Sequence, residues 1–295
     1  MTNPDWIAAD WGTTHLRVWA MSASGTVLGR AQSDEGMGSL TRDGFEPALT
    51  ALIAPWNATT VIACGMVGSR QGWVEAPYAT APCPPLSAQL AKAPTTTPGL
   101  NVHVIPGIRQ NAPADVMRGE ETQIAGFLAL NPGWDGVICL PGTHSKWVHV
   151  SAGEVVSFQT FMTGELFSVI GAHTVLRHSL TGEGWDDAAF ADALSDVISH
   201  PEKLAARLFS LRAEGLLHDQ TPATARARLS GLLIGAELAA ARAYWLGQQI
   251  AVIGDGRLAG LYVKALGTLA APATQADGER VTLAGLQAAY RLLKG

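Results

Sequence analysis

The pentapeptide Asp10-Trp11-Gly12-Thr13-Thr14 gathers a carboxylate, a glycine and two hydroxyls where an apolar run ends. Glycine lets backbone come close to a ligand, and the threonine hydroxyls with their neighbouring amides aim donors at phosphate oxygens. Asp10, at the strand end, is placed to hold a hydrated magnesium ion. The same residues also make an ordinary hairpin turn of the Asp-x-Gly kind, and the pentapeptide by itself leaves both readings open. Ahead of it Trp6 to Ala9 reads as a buried strand. Behind it His15-Leu16-Arg17-Val18-Trp19 alternates polar and apolar, so the turn tips a hairpin.

An echo lies further along. Residues 134–153 repeat the layout: an apolar strand, a turn with Gly142-Thr143, a strand with Trp147, Val148 and Val150, then a glycine. Each copy runs on into a Met-and-Gly turn, Gly36-Met37-Gly38 in one and Met162-Thr163-Gly164 in the other. Duplication of this kind is a fold-level signal. Two such turns facing each other across a cleft would grip a triphosphate from both sides.

Other positions have chemistry and an ordinary reading side by side. Ser69, Arg70 and Gln71 lie in a glycine-rich loop after the buried strand Thr60 to Cys64, at a strand end where open α/β sheets bind ligands; the alternative is a solvated surface turn. Asp115 to Leu130 reads as a helix, with Asp115 as its cap and Glu120 and Glu121 as acids matching the helix dipole. Lys146 is either a phosphate point charge or a strand-edge lysine in water. His144 is a candidate phosphate contact and, without regularly spaced partners, is not read as a metal ligand. Thr163-Gly164-Glu165 opens a helix with Leu166, Phe167 and Ile170 on its buried side, and Glu165 either matches the dipole or reaches sugar hydroxyls. Gly231 and Gly235 share a face of a helix starting at Thr221-Pro222 and running to about Tyr244, which calls for close approach of something flat or of another backbone. Ile250 to Ile253 then reads as a short strand, with a Gly254-Asp255-Gly256 turn into a helix.

The paired turns resemble those of the actin, sugar kinase, heat-shock chaperone and exopolyphosphatase superfamily. The strings GMVGSRQGWVEAPY, DVMRGEETQ, CLPGTHSKW and MTGELF, spread over nearly the whole chain, resemble the 2-dehydro-3-deoxygalactonokinase family. The resemblance implies ATP-dependent phosphorylation of 2-dehydro-3-deoxy-D-galactonate at its 6-hydroxyl, with Mg2+. It implies sugar-acid contacts at Ser69, Arg70 and Gln71, with Thr163 and Glu165 as further substrate contacts. Phosphates are expected at Gly12, Thr13, Thr14, Gly142, Thr143, His144 and Lys146, and adenosine at Gly254 and Gly256. The family places its base, usually Asp, after a glycine at the start of the interlobe helix. Here Gly119 is followed by Glu120 and Glu121; Glu121 aligns slightly better, and Asp115 is a third candidate. Preference between the galactonate- and gluconate-derived keto acids is not readable from the residues. Rival readings are an exopolyphosphatase-like hydrolase and an ATP-dependent sensor of the same fold.

The expected architecture is α/β: two ribonuclease H-like (actin-like ATPase) lobes with mixed sheets around an interlobe cleft. Residues 1–122 form the lobe with the first phosphate turn and sugar-acid site, 123–281 the lobe with the second turn and adenosine site, and 282–295 a closing helix. Six of the 16 prolines fall between Pro77 and Pro98, so 75–99 is expected to be irregular and outside the central sheet. A hydrophobic content of 47% with 15% charged residues is globular, and a net charge of −5 argues against nucleic acid. The start carries no basic and apolar leader pattern and no later stretch is long and apolar enough for a membrane span, so a cytoplasmic protein is expected. Cys64, Cys83 and Cys139 are read as small buried hydrophobes. A homodimer is compatible with this reading.

Overall fold

The computed structural model describes residues 3–254 and 256–295. The chain opens with β1 (Trp6–Trp11), β2 (Leu16–Met21), β3 (Val27–Ser33), α1 (Phe45–Ile53) and β4 (Thr60–Gly65). Then come β5 (Tyr78–Thr80), β6 (Ala91–Lys92), β7 (Asn101–Val104), β8 (Gly107–Asn111), β9 (Ala114–Met117) and α2 (Glu120–Leu130). The second half begins with β10 (Gly136–Leu140), β11 (Ser145–Ser151), β12 (Glu154–Phe161), α3 (Thr163–His173), α4 (Arg177–Leu180) and α5 (Asp187–Ser199). It continues through α6 (Leu204–Leu217), α7 (Pro222–Ala240), α8 (Arg242–Trp245), β13 (Ile250–Ile253), α9 (Gly256–Thr268), β14 (Ala273–Ala276) and α10 (Gly278–Lys294). By contacts, the residues through Asp135 form one compact unit together with Val150–Ser157 and Asp277–Gly295; Gly136–His149 and Phe158–Ala276 form the other.

The first unit is built on a sheet of order β3-β2-β1-β4-β7-β6. The β1-β2 and β2-β3 pairs are antiparallel, whereas β4 runs parallel to β1 and β7 parallel to β4. The second unit repeats the order in its sheet β12-β11-β10-β13-β14, with β13 parallel to β10 and to β14. This repeat of three consecutive strands followed by parallel ones is the ribonuclease H-like fold, present twice. The echo in the sequence is therefore an echo in topology.

Burial explains why β1 is central. Five of its residues, Trp6, Ile7, Ala8, Ala9 and Trp11, are fully buried, which only a strand covered on both faces allows. On one face Trp11 packs with Phe45 of α1 and with Trp73 at ring separations of 5.1 and 6.1 Å. On the other, Trp6 stacks on Tyr290 of α10 at 4.5 Å. Burying a ring such as that of Phe45 stabilises by roughly 1.5–3 kcal/mol. α10 also crosses α2 tightly: a Cβ on Gly126 would stand 1.8 Å from the Val281 carbonyl oxygen, and one on Gly285 1.9 Å from that of Thr122.

Several expectations are corrected. The helix expected from Asp115 starts only at Glu120; residues Ala114–Met117 are β9, antiparallel to β8 with Gln110 opposite Asp115. The Ala112-Pro113 turn returns the chain onto β8 in extended form, and Gly119, at φ +106°, delays the helix. With β5 these strands make a third sheet, β5-β8-β9. The proline-rich segment does touch the central sheet, because β6 pairs antiparallel with the edge of β7. Leu166 is exposed, while Phe167 and Ile170 pack inward. Cys64 and Cys139 are buried but Cys83 only half so.

Candidate active site

β1 carries Asp10 to the end of the first sheet, where Arg17 is its partner on β2 and Cys64 its partner on β4. Arg17 donates to one Asp10 carboxylate oxygen, and the Cys64 sulfur lies 3.8 Å from the other. Burial raises the Cys64 thiol well above its ordinary range, and the charges of Asp10 and Glu121 push the same way. The sulfur stays a thiol.

The turn beyond Trp11 closes through the Gly12 N–H, which donates to the His15 carbonyl at 3.0 Å. A second loop holds it from outside. The N–H groups of Met37, Gly38 and Gly36 donate to the carbonyls of Gly12, Thr13 and Thr14 at 3.0, 2.8 and 3.1 Å. A Cβ on Gly36 would stand 2.3 Å from the Thr13 carbonyl oxygen, so glycine is required there. Thr13 and Thr14 are exposed, with their carbonyls turned away into the loop.

The start of α2 reaches the same strand ends. A Cβ on Gly119 would stand 3.3 Å from the Cα of Gly65, the residue that follows Cys64. Glu121 is fully buried; it accepts the Gly119 N–H at 2.7 Å and the Thr122 hydroxyl at 3.1 Å. Burial pushes its carboxyl up to about 8, and the neighbouring Glu120 charge adds to the rise. Glu120 is half-buried and accepts the Arg118 N–H at 3.0 Å. Asp115 is half-buried on β9, where it accepts the N–H of Val116 at 2.8 Å. In the loop after β4, Ser69 is buried while Arg70 and Gln71 are exposed, and Arg42 donates to the Arg70 carbonyl at 3.1 Å. The first unit thus groups Asp10 with the Glu120-Glu121 pair around Gly65.

The second unit repeats the arrangement. Gly142-Thr143-His144 lies between β10 and β11, and the Glu165 N–H donates to the Thr143 carbonyl at 2.9 Å. A Cβ on Gly164 would stand 2.2 Å from the Gly142 carbonyl oxygen, the counterpart of the Gly36 contact. His144 Nε2 and Glu165 Oε2 are 2.6 Å apart. Lys146 is 5% exposed on β11, an interior strand, which rules out the strand-edge reading. Thr163 is buried at the first position of α3. Glu237 of α7 accepts Trp147 Nε1–H at 2.8 Å and the Tyr262 hydroxyl at 2.7 Å, tying α7 and α9 to β11. Burial raises the Glu237 carboxyl, against the pull of those hydrogen bonds.

A pocket of about 420 Å³ lies beside this turn, lined by Gly142, Thr143, Trp185, Ser230, Arg257 and Leu261 among others. That size suits a nucleoside. The Arg257 guanidinium sits 3.8 Å over the Trp185 ring. Arg226 holds the preceding loop by donating to the carbonyls of Leu180, Gly182 and Gly184. Of the glycine turn, Asp255 lies outside the described residues; the Gly254 N–H donates to the Ala276 carbonyl at 3.1 Å, and Gly256 begins α9, whose Arg257 and Leu258 line the pocket. Gly231 and Gly235 approach α5: a Cβ on Gly231 would stand 2.4 Å from the Phe190 carbonyl oxygen, and one on Gly235 2.4 Å from Val197 Cγ1 and 3.0 Å from the Leu194 carbonyl oxygen.

Sequence reasoning missed Arg118, Trp185, Arg226, Ser230, Glu237 and Arg257. A signal existed on α7, where Arg226, Ser230 and Glu237 recur at helical spacing and the last two stand in a stretch apolar from Leu229 to Ala240 but for them. Trp185, in a loop, carries none.

Residues 10–289 match the family model described as 2-keto-3-deoxy-galactonokinase. The chain is 39% identical over 305 residues to the Rhizobium meliloti (strain 1021) protein named "Probable 2-dehydro-3-deoxygalactonokinase DgoK1", covering 99% of each. It is 34% identical over 294 residues to the 2-dehydro-3-deoxygalactonokinase of Escherichia coli (strain K12), covering 96% of each. Among solved structures, a crystal structure from Sinorhizobium meliloti described as a "putative 2-dehydro-3-deoxygalactonokinase protein" superposes with a TM-score of 0.91 at 38% identity, over 97% of this chain and 98% of that one.

Proposed function

The chain belongs to the 2-keto-3-deoxy-galactonokinase family, and we propose on that premise that it moves the γ-phosphate of ATP to the 6-hydroxyl of 2-dehydro-3-deoxy-D-galactonate. It is an ATP-dependent sugar-acid kinase of galactonate catabolism. The hydrolase and sensor readings lose ground because the curated relatives carry the name of a kinase. Three free cysteines suit a reducing cytoplasm, where we place it.

The observation that carries the residue assignment is the repeated turn, in which carbonyls are tied to a glycine loop and exposed threonines remain for phosphate oxygens. Phosphoryl transfer needs in-line positioning, neutralisation of spread charge and a group to take the hydroxyl proton. Gly12, Thr13 and Thr14 hold phosphate in the first unit. Gly142 and Thr143 do so in the second, with Lys146 supplying positive charge and the pocket beside them taking adenosine. His144 and Glu165 hold each other, and Thr163 anchors α3, so these three shape the second turn.

Asp10 suits a nucleotide-bound magnesium ion, because it is a half-buried carboxylate beside exposed threonines and such ions are held through one or two carboxylates with waters retained. When bound, the ion neutralises phosphate charge. Arg17 fixes the orientation of that carboxylate. Glu120 takes the proton from the acceptor hydroxyl. The sequence leaned toward Glu121, but its complete burial, its two hydrogen bonds and its raised pKa support a role in shaping the helix start. Ser69, Arg70 and Gln71 face the acid.

Turnover of ATP against a panel of keto-deoxy sugar acids tests this reading. The expected result is ADP release only with such an acid, and a product whose phosphorus couples to the C6 protons. ADP release with water alone, at the same rate with or without an acid, refutes it.

A further inference from the structure

We propose that Arg118 and Ser69 bind the carboxylate of the sugar acid, and so make the enzyme select an acid over a neutral sugar of the same shape. The assignment rests on the kinase reading above and names the part of that site which recognises charge. Arg118 lies between β9 and α2, immediately before Gly119, and its N–H is held by Glu120 at 3.0 Å. The residue that would recognise one end of the substrate is thus two positions from the acid assigned to the other.

The side chain is held firmly. Nη2 donates to the Ala76 carbonyl at 2.9 Å, and the guanidinium carbon lies 4.3 Å from the centroid of the Tyr78 ring. Gly68 makes the room: a Cβ there would stand 2.9 Å from Nη1. Yet Nε and Nη1 are buried with no acceptor among the described residues, and so is the hydroxyl of Ser69, the residue after Gly68.

Buried donors of a charged group are costly to leave without an acceptor, and natural interiors rarely do so. A guanidinium aimed by a ring and a carbonyl, with two of its nitrogens still lacking an acceptor, is a group arranged for an anion. Two nitrogens and one hydroxyl suit the two oxygens of a carboxylate. The substrate class of the family carries one carboxylate, at the end of the carbon chain opposite the hydroxyl to be phosphorylated. Phosphate is assigned above to the glycine-threonine turns and not to this group. None of the ion pairs seen in the first unit occupies Arg118.

The test compares the keto-deoxy acid with its C1 amide, a neutral analogue of the same shape, as substrates of the wild type and of the variants R118Q, R118K and S69A. In R118Q, kcat/KM for the acid is expected to fall by roughly 10²-fold or more through KM, with the KM for ATP unchanged, while kcat/KM for the amide changes little. R118K restores part of the preference for the acid, and S69A loses a smaller part of it. Thermal unfolding of each variant separates loss of fold from loss of recognition, and S69A, which removes a hydroxyl without a hydrogen-bond partner among the described residues, keeps the question answerable if R118Q does not fold. An equal loss on acid and amide in R118Q and S69A overturns the assignment and leaves Arg118 a packing residue. Unchanged kinetics in an active enzyme overturn it as well, without touching the kinase reading. A wild type inactive on every keto-deoxy acid overturns both together.

Discussion

The carboxyl group of Glu121 accepts the N–H of Gly119 at 2.7 Å, so the acid closes the helix start from inside the protein. Burial pushes this carboxyl up from an ordinary 4.5 to about 8. Below pH 4.5 folded and unfolded chains both hold the proton; between 4.5 and about 8 only the folded chain keeps it. The stabilising contribution present at low pH is therefore lost as pH rises, by at most about 1.4 kcal/mol per pH unit, and levels off beyond the folded pKa. E121Q has no proton to lose there. Its stability relative to the wild type should rise steadily from pH 5 to 8 in denaturant unfolding, and a difference that stays flat over that range refutes the assignment of burial as the cause.

The neighbouring acid should behave differently. Glu120 and Glu121 point about 100° apart on a helix, and the half-buried one is assigned the acceptor proton. E120Q should lower kcat by roughly 10²- to 10⁴-fold, the loss expected of a general base, with ATP affinity little changed. E121Q should cost far less in kcat than in stability. If E121Q is the dead enzyme and E120Q is not, the roles are reversed. D115N serves as control, because Asp115 sits on β9 and accepts the N–H of its own neighbour.

What could be read from the sequence divides along physical lines. The β1 run and both glycine-threonine turns were legible because a buried strand has to be an unbroken apolar run and a tight turn needs glycine. Thr221-Pro222 announced α7 for the same local reason: the Thr221 hydroxyl accepts the Thr224 N–H at 3.2 Å, and proline occupies the first position. The stretch before α2 misled. Asp115, Glu120 and Glu121 look like the first turns of one helix, but pairing of β9 with β8 is a long-range contact that local propensity does not contain. The pocket of the second unit was only half legible. Its turn was visible, whereas Trp185 and Arg226 are brought to it by the packing of α7 and by the loop before α5. A buried glutamate such as Glu237 shows its role only once Trp147 and Tyr262 are seen around it.

The two contacts between glycine loops and the glycine-threonine turns, to which phosphate is assigned, can be tested by adding one carbon. In G36A the new Cβ would meet the Thr13 carbonyl oxygen at 2.3 Å, and in G164A the Gly142 carbonyl oxygen at 2.2 Å. Backbone cannot yield cheaply at such separations, so each turn should shift. We expect each variant to raise the KM for ATP by about tenfold or more, since small misplacements of positioning groups are amplified in rate. The effect should be far larger than that of alanine at Gly260, where the added carbon meets open space. Equal kinetics for G164A and G260A would show that the glycine contact does not position the turn.

Arg226 offers a test of the adenosine assignment from a residue that braces the pocket wall. Its guanidinium donates to three carbonyls, those of Leu180, Gly182 and Gly184, just before Trp185. Trp185 in turn stacks under Arg257 at 3.8 Å and lines the pocket. A planar fork can serve several acceptors at once, whereas a lysine ammonium at the same place is a single flexible charge. In R226K the loop should loosen and Trp185 should lose its fixed position. Adenosine would then meet a less ordered wall, and ordering that wall on binding weakens affinity. The KM for ATP should rise by about tenfold, with the KM for the sugar acid unchanged, because Arg226 and this loop belong to the second unit and the assigned acid contacts to the first. Stability should fall by only about 1–3 kcal/mol, the usual range for losing hydrogen bonds from a charged group. A rise confined to the sugar-acid KM would mean that the pocket holds something other than adenosine.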